Sequence, residues 1–190
     1  YYVHLDPATT SHNYALCMAH AINVANQKAE RRLRIVVDLI RLWRPSGHGP
    51  IDISMIEKFL IELSRKFNIV QMSFDSFQSA QTIQRLKACG IRAVETPFSP
   101  TYTSEIYGEL RNLVHQGDII IPHDEQLVGE MRELLYKING KHIKPMPNVR
   151  SPDFHTDDCV GALARAAYQA MFSKVKASLP RSVVAYMPIG

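Results

Sequence analysis

Long apolar runs, glycine-rich phosphate loops and paired cysteines are all missing from this chain. No stretch approaches the roughly 20 apolar residues that span a bilayer, and no charged start with an apolar run and cleavage site marks an export signal. A membrane partner and export are therefore not expected. Neither a Walker-type glycine loop nor GxGxxG occurs, which excludes nucleotide binding by those two routes. Cysteine is scarce: Cys17, Cys89 and Cys159 lie far apart with no CxxC pair, so neither a zinc site nor a disulfide framework is expected, and all three read as buried, reduced thiols. Internal repeats and low-complexity tracts are absent as well.

What remains has the make-up of a folded domain. The 190 residues are 46% hydrophobic and 21% charged, which is enough apolar material for a substantial core in one compact unit. The formal net charge of +4 permits nucleic acid as a partner without demanding it. Because the chain opens on Tyr1 and runs straight into the strand-like YYVHLD, the expectation is a single domain, 1–190, cut from a longer polypeptide.

Periodicity divides the chain clearly. YYVHLD (1–6), YALCMAHAINVA (14–25) and RRLRIVVDLIRLWR (31–44) read as three successive strands, broken by DPATTSHN and by Pro45 with SGHGP. From Asp52 the apolar residues Ile53, Ile56, Phe59, Leu60, Leu63 and Phe67 recur at helical spacing, and Ser54 with Glu57 matches a capping box. IVQMSFD (69–75) is a strand, SAQTIQRLKACG a helix stopping at Gly90, and IRAVET (91–96) a strand. SEIYGELRNLVHQG (104–117), a short DIIIP strand and DEQLVGEMREL follow, then two arms around Asn139-Gly140, the strongest hairpin signal in the chain. A last helix of small residues begins near Thr156, its expected cap. Strands alternating with helices predict a mixed sheet flanked by helices, with the strand ending in Asp75 beside the one ending in Asp6.

Acidic residues carry the chemistry. Asp6 and Asp75 each close a buried strand, where ligands gather in open sheets. Asp157 and Asp158 open the last helix, and Gly161, Ala162, Ala164, Ala166 and Ala167 let that helix lie close to a sheet. First-turn acids are ordinary helix starters taken alone, and a lone strand-end aspartate is usually a turn residue. Three or four carboxylates meeting in one crevice, however, require protonation or a divalent cation, and oxygen ligands favour Mg²⁺ or Mn²⁺ over zinc. Such a cluster suits two-metal phosphodiester hydrolysis, with ions about 3.5–4 Å apart.

VHLDPA at the first strand, IVQMSFDSFQSA at the fourth, the NG hairpin and HTDDCVGALARAAY at the last helix together resemble the nuclease domain of phage terminase large subunits. The resemblance spans nearly the whole chain. It implies an α/β ribonuclease-H-like mixed sheet flanked by helices, with an added β-hairpin near the active site. It also implies Asp6 as the ligand of both metals, Asp75 as the second, Asp158 as the third and Asp157 as a fourth acid; His155, three residues before Asp158 and on the same side of a helix, is a further candidate ligand or orienting group. The implied activity is metal-dependent cutting of concatemeric double-stranded viral DNA during packaging in the host cytoplasm, leaving a 3′ hydroxyl and a 5′ phosphate. A packaging ATPase domain, a small terminase subunit and a portal are the implied partners. Two positions depart from the pattern: many relatives carry another acid where Gly161 stands, and some carry one near His12 and Asn13.

Basic residues gather around the hairpin. Lys137, Lys141, His142, Lys144 and Arg150 form the candidate DNA-binding set; Arg31, Arg32 and Arg34 are a weaker one, suited equally to guarding a sheet edge. Two other readings stay open: a junction resolvase or transposase-like nuclease of the same broad fold, and a catalytically silent docking module for DNA or a portal.

Overall fold

Strands β1 (Tyr2–Asp6), β2 (Tyr14–Ala25) and β3 (Arg31–Trp43) form an antiparallel meander. The computed structural model describes residues 1–7, 13–25, 31–45, 49–75, 79–96, 99–140 and 142–172. Helix α1 (Ile53–Lys66) leads into β4 (Gln71–Asp75), α2 (Ala80–Ala88) and β5 (Ala93–Thr96). Then come α3 (Pro100–Gln116), β6 (Ile119–Ile120), α4 (Glu125–Glu133), the hairpin β7 (Leu135–Asn139) and β8 (His142–Met146), and α5 (Asp158–Phe172). The sheet runs β5-β4-β1-β2-β3-β6, with β4 parallel to both β1 and β5, and β6 parallel to β3.

Side-chain parity builds two cores, one on each face of the sheet. Val3, Leu5, Tyr14, Leu16, Met18, Met72 and Phe74 pack with α1 and α2 residues such as Ile56, Leu60 and Leu86. Tyr2, Ala15, Cys17 and Ala19 face the other way, into a cluster with Ile106 and Leu110 of α3, Leu127 of α4 and Leu163, Ala166 and Ala167 of α5. Small residues on both sides let α5 run close across β1 and β2. Parity also places His4 and Asp6 with Tyr2, and Ser73 and Asp75 with each other, on the α5 face.

Several local expectations change. Helix α1 is capped by Asp52, whose carboxylate accepts from Ser54 N–H at 2.8 Å, so the expected Ser54–Glu57 box does not form. Glu57 is instead buried, accepting from Thr82 Oγ1 (2.8 Å) and from Arg85 Nη1 (2.9 Å) on α2. Helix α3 starts earlier than expected, with Ser99 as cap and Pro100 in its first turn, where proline's missing N–H is harmless. Within the hairpin Asn139 pairs with His142, and Gly140 takes the left-handed conformation with φ 60. Cys89 is exposed, unlike buried Cys17 and Cys159, because it follows the last turn of α2 on the solvent side. No helix among the described residues is long and apolar enough to cross a membrane.

Candidate active site

The parallel register of β1 and β4 runs Tyr2 with Gln71 through Leu5 with Phe74. Asp6 and Asp75 stand one residue beyond the last paired position of each strand, both on the α5 face. Above them lies the first turn of α5. At Gly161 a Cβ would stand 3.1 Å from Asp6 Oδ2, 3.5 Å from the Tyr107 hydroxyl and 3.6 Å from Arg165 Nη1. Glycine therefore allows the helix to settle onto Asp6.

Electrostatics show how crowded this place is. Burial pushes the Asp6 carboxyl up to about 7; Arg165 opposes that rise, while Asp75, Asp158 and Asp157 add to it. Asp75 is also raised by burial, against the pull of Arg165 and a hydrogen bond from Thr96. Asp6 at the end of β1 thus feels three other carboxylates, Asp75 from β4 and Asp157 and Asp158 at the start of α5. Present side-chain positions have definite occupants, however. Arg165 Nη2 lies 2.7 Å from Asp75 Oδ2, with the two side chains only 6% and 12% exposed, and Asn13 Nδ2 donates to Asp158 Oδ2 at 3.0 Å. Among the described residues, no group of three or more His, Cys, Asp or Glu is arranged to hold a metal ion. The donor set still fits a hard divalent cation: it is all oxygen, and burial with three neighbouring carboxylates disfavours the charge of Asp6 despite the pull of Arg165.

Helix α5 begins at Asp158, with the Asp157 carbonyl accepting from Gly161 N–H at 2.8 Å. Thr156 is not its cap. Its hydroxyl donates to Glu130 Oε1 at 2.8 Å, and the other Glu130 oxygen accepts from Cys159 N–H (2.8 Å) and Val160 N–H (3.1 Å). Glu130 is 1% exposed, and Gln126 Nε2 completes its shell at 2.9 Å. A carboxylate from α4 thus satisfies two of the N–H groups that every helix start leaves over, and so holds the turn bearing Asp157 and Asp158. Phe154 packs on α4 at Gly129, where a Cβ would overlap its ring.

His155 lies exposed in the connection before α5. The helical spacing that would have aligned it with Asp158 does not apply there. Lys137, Lys144 and Arg150 are exposed, His142 is half-buried, and Lys141 falls outside the described residues. The hairpin is tied to α3 through Ser104, whose hydroxyl accepts from Ile143 N–H (2.7 Å) and donates to its carbonyl (3.1 Å). One turn beyond Ser104, Tyr107 lies near Asp6 across Gly161, so α3 links the hairpin to the acids. Arg32 is engaged by Asp118 and the Gln116 carbonyl (2.8 Å), which favours its role at the sheet edge.

Sequence reading missed Arg165, Glu130 and Tyr107. Arg165 did leave a signal, being a cation inside a helix of otherwise small and apolar residues. Glu130 and Tyr107 left none, since each matters through what packs on it.

No protein-family model matches this chain, and no curated protein matches it. Solved structures do. The large terminase of bacteriophage HK97 superposes with a TM-score of 0.66 at 15% identity, over 87% of this chain. This chain spans 38% of the length of that one. The large terminase nuclease from thermophilic phage G20c gives a TM-score of 0.65 at 16% identity, covering 89% of this chain and 81% of its own. The same nuclease with bound magnesium gives 0.64 at 16% identity, with 89% and 80% covered. The mixed sheet and its flanking helices therefore have the ribonuclease-H-like fold of large terminase nucleases.

Proposed function

We propose that this chain is a terminase nuclease domain, a metal-dependent endonuclease that cuts concatemeric double-stranded viral DNA during genome packaging. The observation that carries this reading is the meeting of Asp6, Asp75, Asp157 and Asp158 at the ends of two parallel strands and the start of α5. Its support from likeness is a shared fold with nucleases of that kind, one of them holding magnesium. By the same reading the protein works in the host cytoplasm beside a packaging ATPase domain, a small terminase subunit and a portal.

Asp6, Asp158 at the start of α5 and Asp157 just before it would hold Mg²⁺ or Mn²⁺. Such an ion, when bound, activates water and neutralises charge on the scissile phosphate. The chain's own part is positional. β1 and β4 set two carboxylates in register, Glu130 fixes the turn with the other two, and Asn13 orients Asp158. Asp6 has the strongest reason to accept a cation, since burial and three neighbouring carboxylates all disfavour its charge without one.

Incubation of the full chain with supercoiled plasmid tests the reading. Nicked and linear products are expected with Mg²⁺ or Mn²⁺ and none with a chelator; their absence across divalent ions would leave only a docking module.

The hairpin supplies the DNA contact in this proposal. Lys137 and Lys144 sit directly opposite each other across β7 and β8, an arrangement of like charges that is unfavourable unless an anion lies between or above them. Substituting both by glutamine is expected to weaken duplex binding for all sequences alike and to lower the slope of log affinity against log salt by about 2. An unchanged salt slope would remove the hairpin from the DNA path.

A further inference from the structure

Resting on the nuclease reading, we infer that Arg111 of α3, with Tyr136 of the hairpin beside it, holds one backbone phosphate of the DNA in the gap between helix and hairpin. This contact is separate from the lysine face and lies next to the acidic centre.

Helix α3 presents one stripe to the hairpin. Ser104 fixes where that stripe begins, because its hydroxyl is bonded to both backbone groups of Ile143. Gly108 and Arg111 follow at spacings of four and three residues, so they lie on the same side of the helix. Side chains alternate along the hairpin. Ile143 with its partner Ile138, and Pro145 with its partner Tyr136, share one face, while Lys137 and Lys144 share the other. Pro145 is buried and the two lysines are exposed, so the first face is the one turned toward α3. Electrostatics agree with that placement. Burial raises the Tyr136 hydroxyl and Arg111 opposes the rise; Tyr107, raised chiefly by burial, feels both Asp6 and Tyr136.

Arg111 is exposed and uncommitted. The residues one turn away on its own helix, Tyr107, Gly108, Val114 and His115, include no acid, and among the described residues it forms no ion pair. The gap is also open. A Cβ at Gly108 would meet no atom of the described residues within 4 Å, and Tyr136, a large aromatic side chain, is left 48% exposed. A guanidinium, a phenolic hydroxyl and bare backbone around an open space suit a phosphate, which takes charge from the first and a hydrogen bond from the second. Its place in the fold supplies the function. Arg111 stands one turn, about 6 Å along α3, beyond Tyr107, and Tyr107 lies near Asp6 across Gly161. A strand bound at Asp6 therefore meets Arg111 within a turn of helix.

Fluorescence anisotropy of a labelled duplex, titrated with the full chain in a chelator over a range of salt, tests this without reference to cleavage. Arg111→Gln is expected to weaken binding and to lower the slope of log affinity against log salt by about 1, whereas Arg111→Lys keeps the slope. That drop should add to the one from the Lys137 and Lys144 substitutions, because the phosphates are different. Tyr136→Phe is expected to weaken binding several-fold with the slope unchanged, and to do less in the Arg111→Gln background, because those two groups share one phosphate. Unchanged affinity and slope in Arg111→Gln would overturn this inference and leave the nuclease reading standing. An unaltered chain that binds no duplex and cuts no plasmid would overturn both.

Discussion

Asp6→Asn is expected to abolish DNA cleavage, by at least about 10³-fold, and at the same time to stabilise the metal-free fold at neutral pH. Both effects have one cause. Asp6 sits under Gly161 with Asp75, Asp157 and Asp158 around it, and burial with that repulsion raises its carboxyl to about 7. A carboxyl whose folded value is raised contributes stability only while protonated. That contribution is complete below the unfolded value near 4 and is lost as pH climbs through 7. Thermal melts of the metal-free chain should therefore fall between pH 4 and pH 7 relative to Asp6→Asn, with a gap at pH 8 on the order of 3 kcal/mol. The amide removes the buried charge and keeps the shape. Saturating Mg²⁺ should close the gap by stabilising the unaltered chain alone. A variant that cleaves like the original, or melts that run parallel at every pH, would show that Asp6 is neither the ligand nor the strained charge.

The second large effect is structural, and is expected at Glu130. Glu130→Ala leaves the Cys159 and Val160 N–H groups without their acceptor in a buried place and also strips Thr156 of its partner. Each orphaned buried donor costs about 1–3 kcal/mol, so a loss of roughly 3 kcal/mol and a fall of about 6–12 °C in melting temperature are expected. Glu130→Gln keeps one acceptor oxygen and should recover part of that. Burial raises Glu130 above the ordinary range while its hydrogen bonds hold it down, so its charge is tolerated because it is fully employed. Hydrogen exchange at the first turn of α5 is the sharper measurement. It should quicken in Glu130→Ala well beyond the change at β1, and uniform protection would mean that the turn is held by something else.

Glu130 also illustrates where sequence reading stops. Strands, helices and their order follow from apolar periodicity, so β1 through α2 and the hairpin were legible, and so was the pairing of β4 with β1. Asp6, Asp75, Asp157 and Asp158 were legible as candidates because acids closing buried strands or opening a small-residue helix are placed by local pattern. The cap of α1 was misread by two residues, since Asp52 and Ser54 are both able to cap and only the backbone entry angle chooses between them. His155 was misread for a related reason. Its spacing to Asp158 meant something only if the helix already ran through it, and Glu130 starts that helix later.

From the amino acids alone came the alternation of strand and helix, the acidic strand ends, the glycine and alanines that let one helix lie close, and the basic hairpin. Each is a property of neighbours in the chain, set by backbone preference and by which face must leave water. Only the folded molecule decided that Arg165 pairs with Asp75, that Glu130 on α4 holds the first turn of α5, and that Tyr107 reaches Asp6. Those contacts join residues 29 to 101 positions apart, and no local pattern encodes them, because a buried charge finds its partner through packing and the need to be neutralised away from water.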